Sequence, residues 1–245
     1  TVMIRLHVSY KGIHDGKMCI RDNNQVHYLK DVLRVKPGEK IMLFDEKGDE
    51  YASEIKDLLP ESIILSVKSV PARSRLGNLG LTIACAIPKK SKMDDIVDKL
   101  TQLGVDRIIP LETERVVVKL DRDKKILKVK RWRKIAESAS LQSQRNTIPV
   151  IEGVQDIKTV LGNSSPYDLK LIPALEGNRK HLKDILSRIK PRNVLIFIGP
   201  EGDFTCEEIK LAQNYGCIPV TLGDLVLRVE TAAVAVASFI RLYAF

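Results

Sequence analysis

The chain contains no apolar run approaching the roughly 20 residues that a membrane-spanning helix needs. Arg5 and His7 interrupt the first residues, so these do not read as a secretory signal. Cysteine is scarce and scattered. Cys19, Cys85, Cys206 and Cys217 form no CxxC pair, so neither metal-ligand spacing nor a disulfide framework is expected. Phosphate-cradling GxxxxGK[ST] and GxGxxG signatures are also missing, which argues against the common nucleotide-dependent doubly wound enzymes. No internal repeat or low-complexity tract stands out. These absences leave a globular chain without metal or membrane, expected in a reducing cytoplasm.

Positive charge is present in excess and in one place. The formal net charge is +9. Residues 1–72 hold 11 basic and 11 acidic side chains, and residues 148–245 again hold 11 and 11. Residues 73–147 hold 18 basic against 9 acidic, which accounts for the whole imbalance. Phosphate-binding proteins concentrate charge in this way, because each neutralised phosphate releases counterions. Lys89, Lys92, Arg115, Arg131, Arg133 and Arg145 are therefore the expected contacts to the phosphates of a partner, a solvated helix face being the plainer alternative.

Periodicity divides the 245 residues into two parts, expected at 1–73 and 74–245. Val2–Val8 alternates as a half-buried strand. A short helix follows from Asp22 to Val35, and then strands at Lys40–Phe44, Glu50–Lys56 and Ser62–Val70. Such close spacing suits a small barrel. After a Gly-, Arg- and Ser-rich stretch (71–80), strands and helices alternate. Strands are expected at 81–86, 107–111, 115–118, 150–151, 169–172, 194–198 and 218–222. A helix capped by Ser91 and a long one over about 124–144 lie among them. That alternation predicts a mainly parallel sheet covered on both faces.

The densest information lies between Asn193 and Phe239. Val194–Ile198 is wholly apolar and ends at Gly199-Pro200-Glu201-Gly202. Thr205 and Glu208 have capping-box spacing ahead of a helix that Gly216 closes. Ile218–Leu222 then runs into a second glycine loop at Gly223, before a last helix that is almost entirely small or apolar. Two strands thus end in glycine loops that each feed a helix, and ligands of open α/β sheets sit beyond such strand ends. Arg228 and Glu230 are the polar groups at the mouth of the last helix. Glu230 can complement the helix dipole with Arg228 as its partner, or the pair can act on a substrate.

IGPEGDF followed by LGDLVLRVETAA resembles the paired C-terminal motifs of the SPOUT (α/β-knot) methyltransferases, and of the RsmE family within them. HYLKDVLRVKPGEKIMLFDEKGDEY, IPKKSKMDDIVDKLTQLGVDRIIPLETERVVVK and RWRKIAESASLQSQRNTIPVI are similar to that family's patterns at the corresponding places, so the resemblance covers essentially the whole chain. It implies an N-terminal PUA-like β-barrel that helps hold RNA and a C-terminal α/β domain whose mainly parallel sheet carries a trefoil knot. It further implies methylation of N3 of one uridine in small-subunit (16S) ribosomal RNA with S-adenosylmethionine.

Residue by residue, the resemblance assigns the cofactor to Leu171, Leu175 and Glu176 of LIPALEG, to Gly199, Pro200, Glu201 and Gly202, and to Leu222, Gly223 and Leu227. It gives Arg5 and Arg34 to RNA, Arg228 to the target nucleotide or phosphate, and Glu230 to the N3 proton. Three positions depart from the pattern: GPEGG reads GPEGD with Asp203, RTETA reads RVETA with Val229, and the Glu expected before Leu103-Gly104-Val105 is Gln102. A SPOUT enzyme acting on tRNA, or a non-catalytic RNA-binding assembly factor, are the alternatives. The apolar last helix and the family habit point to a homodimer.

Overall fold

The computed structural model describes residues 4–45, 48–70, 79–89, 92–115 and 121–243. Ser91, most of the 71–80 stretch and residues 116–118 of the expected 115–118 strand lie outside them. The chain divides into two compact units, 1–75 with 140–147 and 76–139 with 148–245. The inclusion of 140–147 in the first unit departs from the single cut expected at 73/74.

In the first unit, β1 (Arg5–His7), β2 (Ile13–His14), β3 (Lys17–Ile20), β4 (Lys40–Phe44), β5 (Glu50–Leu59) and β6 (Ser62–Val70) form a barrel-like sheet in the order β1-β4-β5-β6-β3-β2. Among the described residues only β1–β4 is parallel, and the other pairs are antiparallel. The hairpin β2–β3 turns at Asp15-Gly16, both at positive φ (48° and 70°), which is the type I′ geometry that Asp-Gly favours. Helix α1 (Asn23–His27) is capped by Asp22, which accepts from the Gln25 amide, and it continues as one π-helical turn over Tyr28–Val32. Leu6, Leu29, Leu43, Ile55, Ile63 and Leu65 fill the interior, each at most 3% exposed.

The second unit is built on β7 (Gly80–Ala86), β8 (Arg107–Glu112), β9 (Val150–Ile151), β10 (Gln155–Asp156), β11 (Leu169–Pro173), β12 (Lys180–His181), β13 (Asn193–Ile198) and β14 (Ile218–Thr221). Their order is β10-β8-β7-β13-β11-β14-β12, with β9 also beside β8, and each pairing among the described residues is parallel. Strands with both faces covered read as continuous apolar runs. Along β13, Val194, Ile196 and Ile198 join one core cluster, while Leu195 and Phe197 join the other.

Helices α2 (Lys92–Gln102), α3 (Arg122–Gln142), α5 (Leu182–Leu186) and α7 (Val229–Tyr243) cover the first face. α4 (Ile157–Gly162) and α6 (Cys206–Asn214) cover the second. The Thr205–Glu208 capping box that opens α6 forms as its spacing predicts.

Strand β14 lies between β11 and β12, which precede it in the chain and pair only through it. The chain enters that slot from α6 on one face and leaves into α7 on the other. This is the threading that a trefoil knot requires, against the general rarity of threaded chains. The last helix is then fastened by a buried cation. Arg241, 5% exposed, donates to the Leu79 carbonyl (2.7 Å), the Gly104 carbonyl and Asp106 Oδ2 (2.7 Å). Asp106 also accepts from the Leu81 amide at 2.9 Å, so one ion pair ties the end of the chain to the start of the sheet.

Arg241→Ala would take a charged donor from the Leu79 and Gly104 carbonyls and the cation from the half-exposed Asp106. We expect a loss of about 2–3 kcal/mol in unfolding free energy, read by denaturant titration. A loss below about 1 kcal/mol would show that the latch is dispensable.

Candidate active site

Because β11, β13 and β14 are parallel neighbours, their carboxyl ends meet on one side of the sheet. The loops that follow, at 174–179, 199–205 and 222–228, line a cleft that opens to solvent. Ile198, Leu222, Leu227, Val229 and Ala232 give it apolar walls, and Arg179, Glu201 and Asp203 supply its charge. The mixture suits a ligand with a flat apolar part and a charged tail.

Two glycines matter here for definite reasons. A Cβ on Gly199 would come within 3.1 Å of the Phe204 ring, so any larger residue would make that ring give way by a few tenths of an ångström. Gly223 has φ +118°, a left-handed conformation that L side chains avoid, and a Cβ there would point into open space.

Expected cofactor residues Leu175, Gly199, Pro200, Glu201, Leu222, Gly223 and Leu227 line the cleft, while Leu171, Glu176 and Gly202 do not. Leu171 is fully buried in the sheet core, because its position in β11 points it at the helices rather than beyond the strand end. Glu176 is exposed. Gly202 carries its carbonyl to Arg115 Nη1 at 2.7 Å, so Arg115 braces the glycine loop rather than standing free. Glu201 Oε1 accepts from the Lys89 amide at 3.2 Å, which ties the same loop to the end of β7.

Asp203 is the departure from the glycine pattern, and its surroundings absorb it. It sits at φ +58°, a conformation that Asp tolerates better than most residues. Its Oδ2 accepts from the Leu175 amide (2.9 Å) and its Oδ1 from the Phe204 amide (2.8 Å). One carboxylate therefore clasps the 174–179 loop to the 199–205 loop. Val229, the second departure, is 3% exposed and forms part of the cleft's apolar wall, where its methyl groups keep that wall free of a hydroxyl.

At the rim, Glu230 Oε1 lies 2.7 Å from Lys92 Nζ, which joins the start of α7 to the start of α2. Burial raises the Glu230 pKa. The hydrogen bond from Lys92, the residue's own amide, and the Lys92 and Arg228 charges outweigh it and hold the carboxyl below its usual range. A carboxylate so held is a weaker proton acceptor, which weighs against the base role expected of Glu230. Arg228 is exposed, and its guanidinium makes no hydrogen bond or ion pair among the described residues. Below the cleft, burial, aided by Glu230 and Glu201, pushes the Cys85 thiol up to about 12, which excludes it as a thiolate nucleophile.

Among the expected RNA contacts, Arg5 and Arg145 are turned inward. Arg5 pairs with Glu50 (2.8 Å), donates to Asn146 Oδ1 (2.9 Å) and lies over the Phe44 ring, and Arg145 is 6% exposed beside Thr147. Arg5, through Asn146, helps join residues 140–147 to the first unit, a role that a count of charges could not separate from phosphate binding. Lys92 belongs to the rim pair. Arg131 remains exposed although it pairs with Asp94, and Arg133 donates to the Ile151 carbonyl. Arg34 and Lys89 are exposed. Sequence reasoning missed Arg179, which no motif marks.

The fold and the cleft define an RNA methyltransferase of the SPOUT class. Residues 76–241 match the RNA methyltransferase domain family, and residues 20–68 match the RNA methyltransferase PUA domain. The chain is 31% identical to the ribosomal RNA small subunit methyltransferase E of Bacillus subtilis, over 85% of this chain and 83% of that one. The structure of the Neisseria gonorrhoeae ribosomal RNA small subunit methyltransferase E, bound to S-adenosylmethionine, superposes with a TM-score of 0.88 at 28% identity over 98% of each chain. A Legionella pneumophila methyltransferase in complex with the same cofactor gives 0.87 at 30% identity, over 99% of this chain and 98% of that one. The chain belongs to the ribosomal RNA small subunit methyltransferase E (RsmE) family.

Lys92→Gln removes the main partner of Glu230, so the carboxyl should titrate at higher pH than in the parent. The ion pair adds stability above the ordinary carboxylate pKa and loses it as pH falls through the lowered value. Carboxyl-carbon NMR over an acid titration reads the shift, and an unmoved midpoint would show that Lys92 does not hold Glu230 as an anion.

Proposed function

We propose that the protein methylates small-subunit ribosomal RNA with S-adenosylmethionine, at N3 of a uridine. The observation that carries this reading is the cleft at the carboxyl ends of β11, β13 and β14. Its apolar walls lie beside an unpartnered arginine and a held carboxylate. Relatives that align over most of the chain are ribosomal RNA methyltransferases, and two aligned structures hold this cofactor.

When bound, the cofactor supplies a methyl group on a sulfonium, already a good leaving group, so positioning does most of the work. Leu222, Leu227, Val229 and Ala232 would face its adenine, with Gly199 and Gly223 letting backbone come close. Arg228 holds the target nucleotide or its phosphate. Glu230, kept ionised by Lys92, is a fixed acceptor that orients the N3–H rather than a strong base. Deprotonation of the imide is then completed toward solvent at the open rim.

In the second unit RNA is gripped along the exposed cations of α3, Arg131 and Arg133 among them, and by Lys89; in the first unit Arg34 is the exposed cation that the resemblance gives to RNA. Lys130 and Lys134, one turn apart and exposed, are the cleanest test positions. In vitro, purified protein, cofactor and small-subunit RNA should give one methylated uridine, mapped by mass spectrometry. Methylation of cytidine or of tRNA instead would overturn the substrate. In RNA-binding titrations, the double variant Lys130→Glu, Lys134→Glu should flatten the salt dependence. An unchanged slope would show that this face is only solvated. This reading places the protein in the cytoplasm, with ribosomes.

The functional unit is a homodimer formed through α7. That helix buries Val229, Ala233, Val236, Ala237 and Ile240, yet its outer side shows Ala235, Phe239 (38% exposed) and Leu242 (79%) where a surface helix would be polar. Phe239 stacks on Tyr243 at 5.7 Å, and Leu225 (80%) and Val226 (74%) add apolar surface on the cleft loop. Light scattering at low micromolar concentration should give twice the chain mass. A monomer with full methyl transfer would refute this.

A further inference from the structure

Resting on the cofactor reading above, we infer that Arg179 is the cation that takes the carboxylate of the cofactor's amino-acid tail, and so sets which way the cofactor lies in the cleft. Among the described residues that line the cleft, Arg179 is the only basic one, set against Glu201, Asp203 and an otherwise apolar or uncharged surface. A ligand with one carboxylate therefore has one place in the cleft where that group is matched.

The two carboxylates that also line the cleft are turned to backbone amides. Asp203 has both oxygens committed to the Leu175 and Phe204 amides. Glu201 accepts from the Lys89 amide. Among described residues Arg179 makes no ion pair. Its one hydrogen bond uses Nη1, which donates to the Ala174 carbonyl at 3.1 Å. Ala174 is itself fixed to the sheet, since its amide donates to the Val220 carbonyl at 3.1 Å. The guanidinium is thus tethered at one corner to β11 and β14 and keeps its remaining N–H donors for a ligand. A planar guanidinium is suited to a carboxylate because two parallel N–H groups can meet its two oxygens.

This placement orients the whole cofactor. The apolar wall of Leu222, Leu227, Val229 and Ala232 lies on the β14–α7 side, and Arg179 closes the loop that leaves β11. With the adenine held by the first and the carboxylate by the second, the cofactor would lie in one direction only along the cleft, toward the mouth of α7 that carries Arg228 and Glu230. Arg179 is a binding and orienting residue, away from the reacting atoms.

The test is calorimetry on the intact protein with three ligands: S-adenosylmethionine, S-adenosylhomocysteine and 5′-methylthioadenosine. The last keeps the adenosine and sulfur but lacks the amino-acid tail. Arg179→Gln should weaken the first two about 10- to 100-fold, the scale of a lost hydrogen bond to a charged group. It should leave 5′-methylthioadenosine unchanged, and Arg179→Lys should recover part of the loss. Matching thermal melts of both variants and the parent guard against a folding defect. Equal weakening of all three ligands would overturn the inference, since Arg179 would then only shape the loop. Unaltered affinities would overturn it as well. If the parent binds none of the three, the cofactor reading itself fails and this inference falls with it.

Discussion

The site depends on a single hydrogen-bonding constraint: β14 must pair with β11 on one side and β12 on the other, and both ladders are parallel. That double pairing brings the ends of three strands to one edge of the sheet and places Gly199 and Gly223 across from each other. It also forces the chain through its own earlier loop, because β11 and β12 precede β14 in sequence. The last helix then has to be held on the far face, where Arg241 supplies a charged anchor to Leu79, Gly104 and Asp106. Burial of its apolar side among Val194, Ile196 and Val220 adds the nonspecific part of the attachment. The specific part is the arginine, since its two terminal nitrogens must meet the Leu79 and Gly104 carbonyls and the Asp106 carboxylate together.

The charged side chains around the cleft fall into two groups by what they already touch. Asp203, Glu201 and Arg115 spend their polar atoms on backbone groups of neighbouring loops, and thereby set the shape of the cleft. Arg228 and Arg179 keep most of their donors, while Lys92 and Glu230 spend theirs on one another. A glycine in the pattern of GPEGG would offer the backbone freedom that Asp203 also achieves at φ +58°. The aspartate adds a clasp to the Leu175 amide that a glycine could not make. The departure therefore reads as a change in how the loops are joined rather than as a loss of the site.

Much of the second unit was legible because its signals are local. The apolar run Val194–Ile198 had to be a strand covered on both faces, and the Thr205–Glu208 spacing had to start a helix. The hairpin at Asp15-Gly16 was equally legible in principle, from a two-residue turn between alternating residues, and went unread. Shorter pieces such as β10, β12, α4 and α5 carry too few residues to show a period. Charge was legible only as a sum. The excess in residues 73–147 is real, but Arg145 is buried in it beside residues that were counted as free.

The sequence by itself determined the element types, the two glycine loops, the resemblance to a family and the residues at the mouth of α7, because each rests on neighbours within a few positions. Tertiary structure alone decided which cations are free. Arg5 and Arg228 look alike in composition, yet one is closed by Glu50, Asn146 and Phe44 and the other stands open. It also decided that residues 140–147 belong with the first unit, that Leu171 faces the core, and that Lys92 meets Glu230 across 138 positions. The physical reason is that ion pairing and burial depend on distance in space. Chain folding fixes such distances only when the parallel ladders and the threaded strand are complete.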